Sequence, residues 1–208
     1  MGRGRSGRTA GGGGSVTIYE SRSMISARER QRDEVDQALG VMRSIHNTYG
    51  VNINDAQVVN LSGRDSGVMA YYDSNENLAI NERYFDVSKM DSVYDDCVRS
   101  GFHPSRGNKT GIEATVAHEL GHRLNDVAGV NMGFGKWGID QAANRILSEA
   151  SRRMRGKGIG AIQSAISGYA KQNNAECVAE AFSDVWCNGR NAKRESRAVV
   201  GVLRKYLR

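Results

Sequence analysis

The chain has 208 residues, of which 39% are hydrophobic, and it carries a formal net charge of +6. That is enough apolar sequence for one domain with a sizeable core. No run approaches eighteen consecutive apolar residues, and no apolar segment follows the arginine-rich start, so neither a membrane span nor a secretory signal is predicted.

The three cysteines, Cys97, Cys177 and Cys187, fit no cysteine-rich zinc spacing and are an odd number. They are interpreted as reduced thiols, which is typical of an intracellular protein. The arginine-glycine start is also compatible with a small phage-encoded protein. The expected location is therefore the cytoplasm or a phage virion.

The first fifteen residues consist mainly of glycine, serine and arginine. Such a segment cannot bury enough apolar surface to offset the entropy of folding, so a disordered tail is predicted at 1–15. The remainder, 16–208, is expected to form a single domain. A helix over about 27–49 opens this domain and ends at Gly50.

The segment from 56 to 80 is predicted to form strands. One candidate is 57–61, and two more, 68–72 and 77–80, flank the turn-rich 73–76 as a hairpin. These strands predict a small antiparallel sheet that packs on a later helix. A helix over 85–100 and a loop over 101–108 follow, and His103 in that loop is interpreted as an exposed residue.

The next stretch, 117–122, contains the pattern His-Glu-x-x-His. On a helix, His118 and His122 lie on one face and can both direct a ring nitrogen at one metal ion. Glu119 then stands beside the first ligand, where its carboxylate can accept a proton from a metal-activated water. The pattern therefore indicates a zinc hydrolase, provided that a third ligand exists.

A helix at this motif is predicted independently of the histidines. Thr110 and Glu113 have the spacing of a capping box, which begins a helix. Gly129 is a plausible stop. An apolar stripe at helical spacing runs between them, formed by Ile112, Val116, Leu120 and Leu124.

The rest of the chain is predicted to be mostly helical, with helices at about 140–154, 161–168, 174–187 and 192–207. The third of these carries Glu176, Glu180 and Asp184 at four-residue steps. Two assignments of the third metal ligand, here called registers, are open. Either Glu176 binds the metal and Glu180 accepts the other ring N–H of a ligand histidine, or Glu180 binds the metal and Asp184 accepts that N–H.

Two blocks, His118–Gly129 and Tyr169–Phe182, resemble the catalytic domain of anthrax lethal factor and the related Pro-Pro endopeptidases, within the gluzincin group of zinc peptidases. The resemblance covers about a third of the chain. It implies an α+β, zincin-like fold in which a small antiparallel sheet packs on the motif helix and a mostly helical half follows. It also implies a Zn²⁺ endopeptidase acting on a protein or peptide substrate.

The resemblance also chooses between the two registers. In the family, a tyrosine seven residues before the ligand glutamate points into the site, and Tyr169 stands seven residues before Glu176. The implied metal ligands are thus His118, His122 and Glu176. Glu180 is implied to accept the other ring N–H of a ligand histidine. Tyr169 is implied to stabilise the oxyanion, and Glu119 to be the general base.

Zinc peptidases commonly hold an extended substrate along an edge strand. Leu78, Ala79 and Ile80 are the residues predicted to form that edge. Two other functions stay open: a non-catalytic assembly protein stapled by zinc, and a nucleic-acid-binding protein that uses the basic C-terminus. The basic residues lie in the N-terminal tail and in a C-terminal cluster that is interpreted as a solvated basic face, which disfavours nucleic acid. The sequence predicts no oligomeric state.

Overall fold

The computed structural model describes residues 19–52, 55–73, 77–136 and 138–208, and within them the chain forms an α+β fold. The strands are β1 (Tyr19–Glu20), β2 (Asp55–Val59), β3 (Ala70–Tyr72) and β4 (Asn77–Asn81). The helices are α1 (Arg22–Arg28), α2 (Arg32–Tyr49), α3 (Val87–Arg99), α4 (Gly111–Asn131), α5 (Ile139–Arg153), α6 (Ile159–Ile166), α7 (Asn174–Asn188) and α8 (Arg194–Leu203). The predicted tail at 1–15 lies outside the described residues.

The sheet is mixed, with the strand order β1-β2-β4-β3. β3 and β4 pair antiparallel, as the hairpin prediction required, with Tyr71 opposite Ala79. The other two pairs, β1 with β2 and β2 with β4, are parallel. The prediction of a purely antiparallel sheet is therefore wrong. After β2 the chain passes through a 3₁₀ turn at Gly63–Gly67 and forms β3 on the far side of β4, which makes β4 run parallel to β2.

The position of β4 overturns the predicted substrate edge. β4 pairs with β2 on one side and with β3 on the other. Leu78, Ala79 and Ile80 are at most 2% exposed. A short continuous apolar run is typical of a strand covered on both faces, and this one is an interior strand. Within the described part of the sheet, β3 is the edge strand next to β4.

The predicted helices are present, with one division that the sequence pattern did not show. The helix expected over 27–49 is two helices, because α1 ends at Arg28 and α2 begins at Arg32. α1 is held on the sheet by Ser23 Oγ, which accepts the backbone N–H of Val58 at 3.0 Å. Gly50 ends α2 as predicted, with a φ of 67° that favours glycine.

The motif helix α4 is central and mostly buried. Its predicted capping box is present: Thr110 Oγ1 accepts from the Glu113 N–H at 3.2 Å, and Glu113 Oε2 accepts from the Thr110 N–H at 2.9 Å. The predicted stop at Gly129 is wrong, because α4 continues to Asn131. Gly129 is instead a packing position, where an added Cβ would lie 3.2 Å from the Gly138 carbonyl oxygen.

α4 and α7 cross at very short range, and this crossing builds the centre of the molecule. A Cβ added to Gly121 would lie 2.8 Å from Ala179 Cα. The glycine inside the histidine motif therefore allows the two backbones to approach. Asn173 caps α7 by accepting the Glu176 N–H at 2.8 Å, which fixes where the helix begins. As a result, the acidic face of α7 lies against the histidine face of α4.

All three cysteines are free thiols, and burial raises the pKa of Cys177 and of Cys187 to about 12. In the described part of the chain, no helix combines the length and the apolar character needed to cross a membrane.

Candidate metal centre and cleft

Two helices bring to one point three side chains that could hold a metal ion. His118 and His122 lie one turn apart on α4, and Glu176 lies in the first turn of α7. The Oε2 atom of Glu176 is 3.2 Å from His118 Nε2 and 3.2 Å from His122 Nε2. All three ligand atoms fall within 4.8 Å of one another.

This geometry fits a tetrahedral zinc ion. Ligand bonds of about 2.0–2.1 Å at tetrahedral angles place neighbouring ligand atoms about 3.3 Å apart, close to the two N···O distances here. Glu176 Oε2 is closed off from solvent and makes no hydrogen bond to any described residue. A buried carboxylate oxygen needs a partner, and a cation between the three atoms would supply one.

The geometry also separates the two registers left open by the sequence. Glu180 Oε1 lies 2.8 Å from His118 Nδ1, on the side of the ring away from Glu176. Asp184 is engaged elsewhere, since its oxygens accept from Asn188 Nδ2 and from the Lys193 N–H, each at 2.9 Å. The arrangement favours Glu176 as the ligand and Glu180 as the group that orients the histidine.

The pKa shifts of Glu176 and Glu180 favour the charged form of both carboxylates. Burial raises the pKa of Glu180, but the hydrogen bonds from His103 and His118 outweigh it and lower that pKa to about 2. The pKa of Glu176 is also lowered, because the two imidazoles outweigh burial. Burial lowers the pKa of His118, whereas its contacts with Glu176 and Glu180 raise it well above the ordinary value. Both glutamates therefore carry negative charge at neutral pH.

A cleft of about 250 Å³ opens beside these residues. His118 and Glu119 line one side of it, and Tyr169 lines another. Burial, followed by the charges of Glu176 and Glu119, raises the pKa of Tyr169 to about 12. The Tyr169 hydroxyl consequently stays protonated and can donate a hydrogen bond into the cleft.

The structure brings together His118, Glu119, His122, Tyr169, Glu176 and Glu180, all of which the sequence analysis had assigned to the site. Leu78–Ile80 lie instead inside the sheet. The stretch that lines the cleft beside the sheet is 67–70, which leads into the edge strand β3.

The sequence analysis missed His103. It was interpreted as exposed, yet it is 8% exposed and its Nδ1 lies 3.0 Å from Glu180 Oε1. The chain's only proline, Pro104, follows it directly, which signals an ordered loop. Nothing in the local pattern connects this loop to a glutamate 77 residues later.

Comparison with protein-family models, with curated proteins and with solved structures gives no match.

Proposed function

We propose that this protein is a zinc-dependent endopeptidase with a zincin-like catalytic site. The observation that carries the proposal is the convergence of His118 Nε2, His122 Nε2 and the buried Glu176 Oε2, with Glu119 in the adjoining cleft. A zinc ion held by those three atoms would leave a coordination position for water, as catalytic zinc sites do.

When bound, zinc supplies a water of lowered pKa and polarises a carbonyl group. The protein residues contribute the remaining chemistry. Glu119 lines the cleft beside His118, where its carboxylate can accept the proton of the attacking water and pass it to the leaving amine. Tyr169, protonated at neutral pH, donates its hydroxyl hydrogen bond to the oxygen on which negative charge develops.

The carboxylate of Glu180 orients the reacting centre. It accepts from His118 Nδ1, so Nε2 is the ring nitrogen directed at the metal position. Since Glu180 is fully buried, its charge acts on the histidine with little screening by solvent.

The cleft supports an extended peptide substrate with apolar side chains. The Asn81 N–H donates to the Met69 oxygen, and the Asp73 N–H donates to the Asn77 oxygen. Because backbone groups alternate in direction along a strand, Tyr71, which lies between Met69 and Asp73, also directs its backbone groups at β4. The N–H and C=O groups of Ala70 then face away from β4, where a peptide strand can pair with them. Val68, Tyr71 and Phe102 are exposed apolar side chains around this region.

The two alternative functions have less support. A zinc-stapled assembly requires a closed four-ligand site, whereas a cleft opens beside His118 and Glu119. A nucleic-acid-binding surface requires available cations at the C-terminus. Several of these are used internally, since Lys193 donates to the Ile166 oxygen and Lys205 pairs with Glu149.

The deciding experiment measures zinc content and peptide cleavage in the parent protein and in Glu119→Gln. We expect one equivalent of zinc in both and cleavage of a diverse peptide library by the parent only. Glu82→Gln, which removes an exposed carboxylate outside the cleft, serves as the control and should cleave normally. Zinc without any cleavage would favour the assembly function, and absence of zinc from the parent would refute a metal site.

A further inference from the structure

Glu180 joins the metal centre to two loops of the cleft wall. Its Oε1 accepts from His118 Nδ1 at 2.8 Å and from His103 Nδ1 at 3.0 Å, and its Oε2 accepts from Ser167 Oγ at 2.7 Å. The side chain is fully buried. Only His118 among these donors belongs to the metal centre. His103 and Ser167 come from separate loops, so the carboxylate fastens both loops at one point.

The same two loops are also joined through their backbones. The Gly168 N–H donates to the Gly101 oxygen at 2.8 Å, and the Tyr169 N–H donates to the Phe102 oxygen at 2.9 Å. These two bonds tie the short 3₁₀ turn that carries Tyr169 to the two residues just before His103. His103 and Tyr169 therefore lie on backbone segments that are hydrogen-bonded to each other.

The rings of the cleft wall form a continuous aromatic contact. His103 stacks on the buried Tyr94, with ring centroids 5.3 Å apart and planes inclined by 12°. Its edge contacts Tyr169, with centroids 5.3 Å apart and an angle of 77°. Phe102 covers Tyr169 from another direction at 5.0 Å. Tyr169 is half-buried and sits on one turn of 3₁₀ helix, so its own element does little to hold it.

We propose that His103 is a positioning residue for Tyr169: it fastens the loop to Glu180 and holds the tyrosine ring over the metal centre. The proposal rests on the proposed function, in which the Tyr169 hydroxyl must meet a developing oxyanion. Such a donor acts only when it is held in place before the reaction, and small displacements are costly. His103 is not among the three side chains whose ligand atoms converge on the proposed metal position.

Two substitutions separate the hydrogen bond from the volume of the side chain. His103→Phe keeps a ring against Tyr94 but cannot donate to Glu180, and we expect kcat to fall about tenfold with KM and zinc content unchanged. His103→Asn places an amide N–H near the position of Nδ1, and we expect it to recover most of that loss. His46→Phe is the matched control, because His46 Nδ1 lies 3.1 Å from the Val51 oxygen, on another helix and outside the cleft.

Several outcomes would overturn the proposal. One is an unchanged kcat in His103→Phe. Another is a fall of kcat in His103→Asn as large as that in His103→Phe, and a third is a loss of zinc from either variant. A further test repeats His103→Phe in a Tyr169→Phe background, where we expect less than about a twofold additional effect because the hydroxyl is already gone. The full tenfold loss in that background would show that His103 acts on something other than Tyr169.

Backbone amide exchange gives a readout that needs no activity. Loss of the Glu180 bond should raise the exchange rates of the Gly168 and Tyr169 amides about tenfold in His103→Phe, and His46→Phe should leave them unchanged. If the parent cleaves no peptide, the proposed function fails, but this exchange measurement still decides whether His103 fastens the loop. Unchanged exchange at both amides would contradict the positioning role.

Discussion

At the scale of single residues, the two glutamates of α7 have different tasks, although both contact His118. Glu176 approaches Nε2 of His118 and of His122, whereas Glu180 lies on the Nδ1 side of His118. The first is placed to bind a metal ion and the second to orient a ligand. Substitution by glutamine keeps the size of each side chain and removes its charge.

We predict that Glu176→Gln weakens zinc binding more than Glu180→Gln does. Loss of a charged ligand removes one of three protein bonds to the metal, whereas loss of an orienting carboxylate costs about 10–100-fold in affinity. Competition with a chromophoric chelator measures both dissociation constants. The reverse order would mean that Glu180 is the ligand, the register that the geometry disfavours.

Residue patterns reveal those parts of the site that lie close together in sequence. His118, Glu119 and His122 share one helical turn, and the capping box located their helix. His103 could not be found in this way, because its significance comes from a contact with Glu180 across the fold. The donor set of a buried carboxylate depends on tertiary structure, and a single sequence carries little record of it.

At the scale of elements, the crossing of α4 and α7 determines the distance between the histidines and Glu176. Gly121 faces Ala179 at the crossing, where an added Cβ would come within 2.8 Å of backbone. A backbone atom cannot move aside as the end of a flexible side chain can. A methyl group here therefore forces the two helices apart.

We predict that Gly121→Ala lowers the free energy of unfolding by about 1–3 kcal/mol, as overpacking does, and weakens zinc binding. Gly40→Ala on α2 is the matched control, since nothing lies within 4 Å of the added methyl group there. Alanine should stabilise that helix by about 0.5–1 kcal/mol. Denaturant unfolding and chelator competition measure the two effects, and normal zinc affinity in Gly121→Ala would show that the crossing tolerates expansion.

The edge strand gives a second prediction at this scale. Because alternate backbone groups of a strand face opposite directions, a peptide paired with β3 uses only every second N–H. We predict that N-methylation along a cleaved peptide raises KM with a period of two, by about three- to tenfold at each sensitive position. A uniform effect at consecutive positions would argue against strand pairing.

At the scale of the whole molecule, the sequence predicted elements better than their arrangement. The later helices follow from capping residues and apolar periodicity, and the hairpin of β3 and β4 follows from its turn-rich connection. The order β1-β2-β4-β3 depends on how the chain between β2 and β4 crosses the sheet, which local patterns do not encode. This is why the wrong strand was assigned to the edge while the helices that carry the candidate metal ligands were placed correctly.

Zinc is expected to stabilise the entire fold, because the proposed ligands come from the two helices that cross at the centre. An ion that binds only the folded state adds RT ln(1 + [L]/Kd), or about 4 kcal/mol at a thousandfold excess over Kd. For a chain of this size each kcal/mol shifts Tm by about 2–4 °C, so removal of zinc by a chelator should lower Tm by about 10 °C. Glu119→Gln should show the same shift, because Glu119 is not a ligand, and Glu176→Gln should show a much smaller one. Calorimetry with and without chelator makes the comparison, and an equal shift in Glu176→Gln would place the bound ion away from α7.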